Sequence, residues 1–206
     1  MAGAGAGQRQ GTKTRGLKLT DILVTIVIAV VFGIIYKLWG PMYDVVKPLG
    51  SQAEQTIYGM WFIAGTFAYL VIRKPGVALL AEVAAASVSA LLGSEWGIST
   101  LYYGLIQGFG AEIIFAIFLY RYASVWVVSL AAIGAAAGSL VLDFGYGYIE
   151  SLSTWNYTLL IGLRALGSIV IAGIFAYYLS KALELTGVTK VLRPASKQDY
   201  EALNRA

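Results

Sequence analysis

The chain has 206 residues, of which 58% are hydrophobic and 13% charged, against roughly 25% charged in an ordinary soluble domain. That balance argues against a soluble globular domain and for a polytopic membrane protein. There is no cysteine and no histidine, which excludes disulfides, thiolate or imidazole metal sites and a catalytic histidine. The net charge of +4 carries no argument for a nucleic-acid partner, because the basic residues are spread over tails and loops.

Residues 1–18 combine Gly, Ala, Gln and basic residues without the apolar stretch of a signal peptide. They read as a disordered cytoplasmic tail. The first apolar span, 20–39, is long enough for roughly 30 Å of hydrocarbon. Within it Ala29 and Gly33 lie four apart on one helix face, where small side chains let another backbone approach. That face serves either internal packing or the docking of a partner. Tyr36 and Trp39 fit an interfacial belt. Residues 40–55, with Gly40-Pro41, Lys47-Pro48 and Gly50-Ser51, read as a loop long enough to fold over the helix ends.

Five more spans follow at 56–72, 76–92, 101–120, 123–146 and 157–183. The expectation is one compact all-α bundle of six transmembrane helices over 19–184, with a polar cytoplasmic tail at 185–206. Charge placement gives the orientation. With the N-terminus in the cytoplasm, twelve Lys and Arg residues fall on that side, among them Arg73, Lys74, Arg121 and Lys181, and only Lys37 and Lys47 fall outside. Cytoplasmic loops are the ones enriched in Lys and Arg, so both termini are expected in the cytoplasm, with the spans in the cell membrane.

Five strongly polar residues fall inside the spans: Glu82, Gln107, Glu112, Asp143 and Arg164. Ionisable groups at membrane depth are costly and mark functional sites by default. Three carboxylates against one guanidinium leave an excess of negative charge. Protonation or a bound cation would relieve it. A structural network is the alternative, with Arg164 paired to Asp143 or Glu112. By position, Asp143, Arg164, Tyr58, Trp61, Tyr103 and Gln107 converge on the outer half, while Glu82 and Glu112 fall nearer mid-depth. Tyr58 and Trp61 share a face, as do Tyr103 and Gln107. Apolar walls with aromatic surfaces and a few polar groups are how a small-solute pocket is built.

No Gly-x-x-x-x-Gly-Lys-Ser/Thr motif occurs, so this chain has no nucleotide-hydrolysing loop of that kind. No half-to-half similarity supports an inverted-repeat carrier, and no catalytic constellation is visible. Six helices without an energy module read as the binding subunit of something larger.

Three stretches carry a resemblance: Tyr58-Gly59-Met60-Trp61-Phe62, Arg73-Lys74-Pro75-Gly76-Val77-Ala78-Leu79 followed by Glu82, and Gly104 through Gln107-Gly108-Phe109-Gly110-Ala111-Glu112. Together they resemble the YkoE family, substrate-capture (S) components of energy-coupling factor transporters associated with thiamin or its hydroxymethylpyrimidine part. The resemblance implies a non-enzymatic capture subunit. A transmembrane coupling (T) protein and ATPase subunits, which use the ATP, would be its partners. It also implies that the Ala29–Gly33 face packs on the coupling protein. The chemistry of thiamin, a thiazolium cation and an aminopyrimidine, suits the excess of carboxylates. On this reading Trp61 or Tyr58 stacks on a ring or faces the cation, Glu82 and Glu112 supply carboxylates, and Gln107 bonds the pyrimidine, with Tyr103 one turn away on the same face. Asp143 and Arg164 are the remaining candidates for the site, unless Asp143 serves instead to neutralise Arg164. A stand-alone proton-coupled carrier and a scaffold with no small ligand are the other classes open to such a sequence.

Overall fold

A computed structural model describes residues 16–150, 152–187 and 189. The tails expected at 1–18 and 185–206 therefore lie largely outside the described residues. Every regular element among the described residues is helical: α1 Leu19–Val46, α2 Ser51–Ile57, α3 Ile63–Ile72, α4 Val77–Leu91, α5 Ser99–Ile117, α6 Val125–Gly145, α7 Thr154–Ser168 and α8 Ala176–Leu185. A 3-10 segment, Tyr58–Phe62, joins α2 to α3, and a π-helical segment, Ile169–Phe175, joins α7 to α8. The eight helices thus form six rods.

Five rods are long and apolar enough to cross a bilayer: Leu19–Leu49, Gln52–Ile72, Ser99–Ile117, Val125–Gly145 and Thr154–Leu185. The sixth, α4, has 15 residues and a length of about 22 Å at 1.5 Å per residue. It is short because glycines with positive φ, Gly76 at +82° and Gly93 at +84°, bound it on both sides. It can be short because it is central, packed against α1, α3 and α5. Its inner positions, Ala78, Ala81, Ala85 and Ala86, are small and buried, so the neighbouring backbones come close.

Two expectations about α1 need correction. The loop expected at 40–55 is mostly helix. α1 runs through Pro41 to Val46, a 3-10 turn covers Lys47–Leu49, and α2 begins at Ser51. A proline removes one ladder hydrogen bond, but a long membrane helix packed on neighbours tolerates the loss. The chain reverses at Gly50, whose φ of +106° suits glycine. The Ala29–Gly33 face is also turned inward. A Cβ on Gly33 would lie 2.5 Å from Val88 Cβ and 2.8 Å from the Ala85 carbonyl oxygen, and Ala29 is buried. These small residues admit α4 of the same chain. What α1 exposes is a different face, which includes Leu23, Val27, Leu38 and Val45.

α5 and α6 meet by the same device, since a Cβ on Gly110 would lie 2.2 Å from the Gly134 carbonyl oxygen. Close backbone approach through small residues is the usual packing of helices in lipid.

The two ends of the bundle differ chemically. At one end Lys74 pairs with the buried Asp21, and Arg73 and Lys181 both reach Glu184. Arg121 follows α5 at this basic end. The opposite end gathers Tyr43, Tyr58, Trp61, Trp96, Tyr103, Tyr146 and Tyr148, whose rings contact one another in two groups.

Candidate functional site

The aromatic end holds a cavity of about 280 Å³. Helical spacing explains most of its lining. Tyr36 and Tyr43 are two turns apart on α1, Thr100, Tyr103, Gly104 and Gln107 follow one stripe of α5, and Leu160 and Arg164 are one turn apart on α7. These are the i, i+3, i+4, i+7 positions of one helix face. Tyr58 and Trp61 come from the 3-10 segment, where residues three apart eclipse one another and so face the cavity together. Glu54 and Gln55 of α2, Ala86 of α4, Trp96, Asp143 of α6 and Tyr148, Ile149 and Leu152 close the remaining sides.

One wall is an aromatic box. The Trp61 and Trp96 rings meet edge to face at 5.0 Å between centroids. Tyr43 contacts Tyr58, Trp61 and Trp96 at 6.3–6.5 Å, and Tyr36 meets Trp61 at 6.0 Å. Glu54 stands beside the Tyr43 hydroxyl. Ring faces attract a cation through the quadrupole, and a neighbouring carboxylate adds to that attraction.

The opposite wall is a closed polar network. Arg164 donates from Nη1 to Asp143 Oδ2 and, at 3.0 Å, to Ser139 Oγ. Its Nε donates to Gln55 Oε1 at 2.7 Å, and its guanidinium carbon lies 3.9 Å from the Tyr58 ring centroid. The second oxygen of Asp143 accepts from the Tyr103 hydroxyl. The network ties α2, α5, α6 and α7 together. Two carboxylates, Glu54 and Asp143, face one guanidinium around the cavity, so the lining keeps an excess negative charge.

Six of the eight residues singled out in the sequence line this cavity: Tyr58, Trp61, Tyr103, Gln107, Asp143 and Arg164. The two expected mid-depth carboxylates do not. Glu82 is buried behind the aromatic wall, where it accepts from the Tyr36 hydroxyl and the Gly65 N–H. Glu112 sits at the basic end, where it accepts from the Gly76 and Leu79 N–H groups and so caps the start of α4. A carboxylate at a helix N-terminus meets free donors and the positive end of the dipole. Nearby Tyr120, in the turn after α5, is pushed up to about 12 by burial and by its bond to Glu112.

Eight polar or aromatic lining residues were not among the candidates: Tyr36, Tyr43, Glu54, Gln55, Trp96, Ser99, Thr100 and Tyr148. The seven-residue spacing of Tyr36 and Tyr43 could have signalled one face, had α1 been read past Pro41. Among the described residues no three Asp or Glu side chains come together as a metal cage.

Three comparisons with known proteins each find components of membrane transporters. A family model described as "ABC-type cobalt transport system, permease component" matches residues 20–138. A protein of Bacillus subtilis (strain 168), provisionally named HMP/thiamine permease protein YkoE, is 33% identical over 172 residues, 83% of this chain and 86% of that protein. A solved structure titled "Crystal structure of an S-component of ECF transporter" superposes with a TM-score of 0.83 at 31% identity, covering 93% of this chain and 99% of that one. The relatives are transporter components rather than enzymes, and the matched fold is the six-rod bundle described above. The chain belongs to the YkoE family of S components of energy-coupling factor transporters.

Proposed function

We propose that this chain captures thiamin, or its hydroxymethylpyrimidine part, from outside the cell membrane. It then delivers the solute with a transmembrane coupling protein and ATP-using ATPase subunits. The observation that carries this reading is the aromatic box of Tyr43, Tyr58, Trp61 and Trp96 beside Glu54, in a cavity whose carboxylates outnumber its guanidinium. A flat aromatic ring stacks in such a box, and a thiazolium gains cation–π attraction as well. At about 280 Å³ the cavity is at the small end of solute pockets, roughly 300–1,000 Å³, which suits a compact one- or two-ring ligand.

The same features favour an organic cation over the cobalt named in the family description. Divalent cobalt prefers nitrogen or sulfur donors, and this chain contains no histidine or cysteine. In the proposed pose Trp61 and Tyr58 pack on the ligand rings. Gln107 and Tyr103 bond the pyrimidine edge, and Asp143 and Arg164 hold the polar wall in shape. The aromatic end faces outward, consistent with Lys18, Arg73, Lys74, Arg121 and Lys181 gathering at the other end under the positive-inside rule.

Proteoliposome uptake tests the proposal. The chain reconstituted with a coupling protein and ATPase subunits should accumulate labelled thiamin only when ATP is inside. Reconstituted alone with a pH gradient it should not. Uptake by the chain alone, driven by the gradient, would instead make it a proton-coupled carrier.

A further inference from the structure

The second rod is interrupted at membrane depth. Ile57, at φ −103° and ψ −1°, and Phe62, at φ −141° and ψ 20°, bound the 3-10 segment Tyr58–Phe62. An interrupted helix leaves the first N–H groups of the next helix without partners. In lipid these must be satisfied by the protein itself. Here the Ala64 N–H donates to the Tyr36 hydroxyl at 2.9 Å, and the Gly65 N–H donates to Glu82 Oε2 at 2.9 Å. The Tyr36 hydroxyl in turn donates to Glu82, 2.9 Å from Oε1. Tyr36 and Glu82 are 2% and 1% exposed. One bracket therefore joins α1, α3 and α4 directly behind the cavity wall.

The bracket is tightly fitted. A Cβ on Gly65 would lie 3.3 Å from Glu82 Oε2, and one on Gly108 would lie 2.9 Å from Glu82 Cβ. Its front is the site itself, because Tyr36 lines the cavity and touches Trp61.

We propose that Glu82 is a positioning residue for the capture cavity: through Tyr36 and the Gly65 N–H it holds the break between α2 and α3, so that Tyr58 and Trp61 present their rings to the ligand. The role in capture rests on the function proposed above, whereas the effect on Trp61 does not. Glu82 touches no ligand in this account, and its effect on affinity is transmitted by the 3-10 segment.

The test compares Glu82→Ala, Glu82→Gln and Tyr36→Phe, with Asp21→Ala as a buried-carboxylate control at the basic end. Two quantities are read on the purified full chain in detergent. One is Trp61 emission without ligand, taken as the difference between each protein and its Trp61→Phe counterpart. The other is thiamin affinity. Glu82→Ala should shift Trp61 emission and weaken thiamin binding by roughly 10- to 100-fold, the effect of orphaning a buried donor beside the site. Glu82→Gln keeps an acceptor for the Gly65 N–H and should stay nearer wild type in both. Asp21→Ala should move neither.

If Glu82→Ala does not fold, Tyr36→Phe decides, because it removes the acceptor for the Ala64 N–H and must shift Trp61 emission. Unchanged Trp61 emission in the folded Glu82 and Tyr36 variants would overturn the proposal. So would equal loss of binding in Glu82→Gln and Glu82→Ala with Trp61 undisturbed, which would make the carboxylate a ligand contact. Should wild type bind neither thiamin nor hydroxymethylpyrimidine, the functional reading falls, and Trp61 emission still tests the bracket.

Discussion

Replacing Asp143 by alanine should be among the most damaging single changes to the aromatic end. The Asp143 and Arg164 side chains are 8% and 3% exposed, and they form a direct ion pair. Removing the carboxylate leaves a buried guanidinium held only by neutral groups: Gln55, Ser139 and the Tyr58 ring. It also takes the acceptor from the Tyr103 hydroxyl. Breaking one side of a buried pair costs about 3–5 kcal/mol. The three remaining partners of Arg164 compensate in part, which favours the low end, about 3 kcal/mol. A chain of this size shifts its unfolding midpoint by about 2–4 °C per kcal/mol, so a fall of about 6–12 °C is expected in detergent. Asp143→Ala combined with Arg164→Met removes both charges and should recover much of that loss, because the cost lies in the orphaned charge. Thermal unfolding followed by circular dichroism measures both proteins. A single variant within about 0.5 kcal/mol of wild type, the range of neutral surface changes, would refute this account of the network. A double variant worse than the single one would refute it equally.

Three further outcomes follow from the geometry. Trp61→Ala or Trp96→Ala opens the edge-to-face pair at 5.0 Å and should weaken thiamin binding by roughly 10- to 100-fold, read by calorimetric titration, with the unfolding midpoint lower by only a few °C. Gly33→Leu drives a side chain into Val88 and the Ala85 carbonyl and should destabilise the isolated chain by about 1–3 kcal/mol. An unchanged midpoint would return that face to partner docking. Glu112→Ala removes the cap on the Gly76 and Leu79 N–H groups and should cost about 1 kcal/mol while leaving ligand affinity as it was, since Glu112 lies at the far end from the cavity.

The sequence carried the six rods well because lipid imposes a simple demand: long apolar stretches bounded by charge and turn residues. The difference in charge between the two ends was equally plain. What it did not carry depends on breaks inside rods. Pro41 reads as a stop, yet α1 continues past it, so Tyr43 was assigned to a loop and Glu54 and Gln55 were never counted. Tyr58 and Trp61 were paired on the assumption of an α-helical face. The 3-10 segment also aligns them, for a different geometric reason.

Glu82 looked like a ligand carboxylate because it is charged at membrane depth. Its partners are the Tyr36 hydroxyl and the Gly65 N–H, a backbone donor freed by a helix break, and nothing in the spacing of residues announces that break. Glu112 was misplaced in depth because the fourth span was read to residue 120, whereas α5 ends at Ile117 and α4 begins beside it. Ala29 and Gly33 formed a true close-packing pair, but small residues do not reveal whether the approaching backbone is a partner's or the chain's own.

Calorimetric titration of the purified chain with thiamin, hydroxymethylpyrimidine and cobalt chloride, each in turn, decides which class of solute the cavity takes. Saturable binding of thiamin, of hydroxymethylpyrimidine or of both is expected, abolished or sharply weakened in the Trp61→Ala and Trp96→Ala proteins, with no saturable heat from cobalt. Saturable cobalt binding to folded protein that ignores both organic compounds would contradict the proposed function.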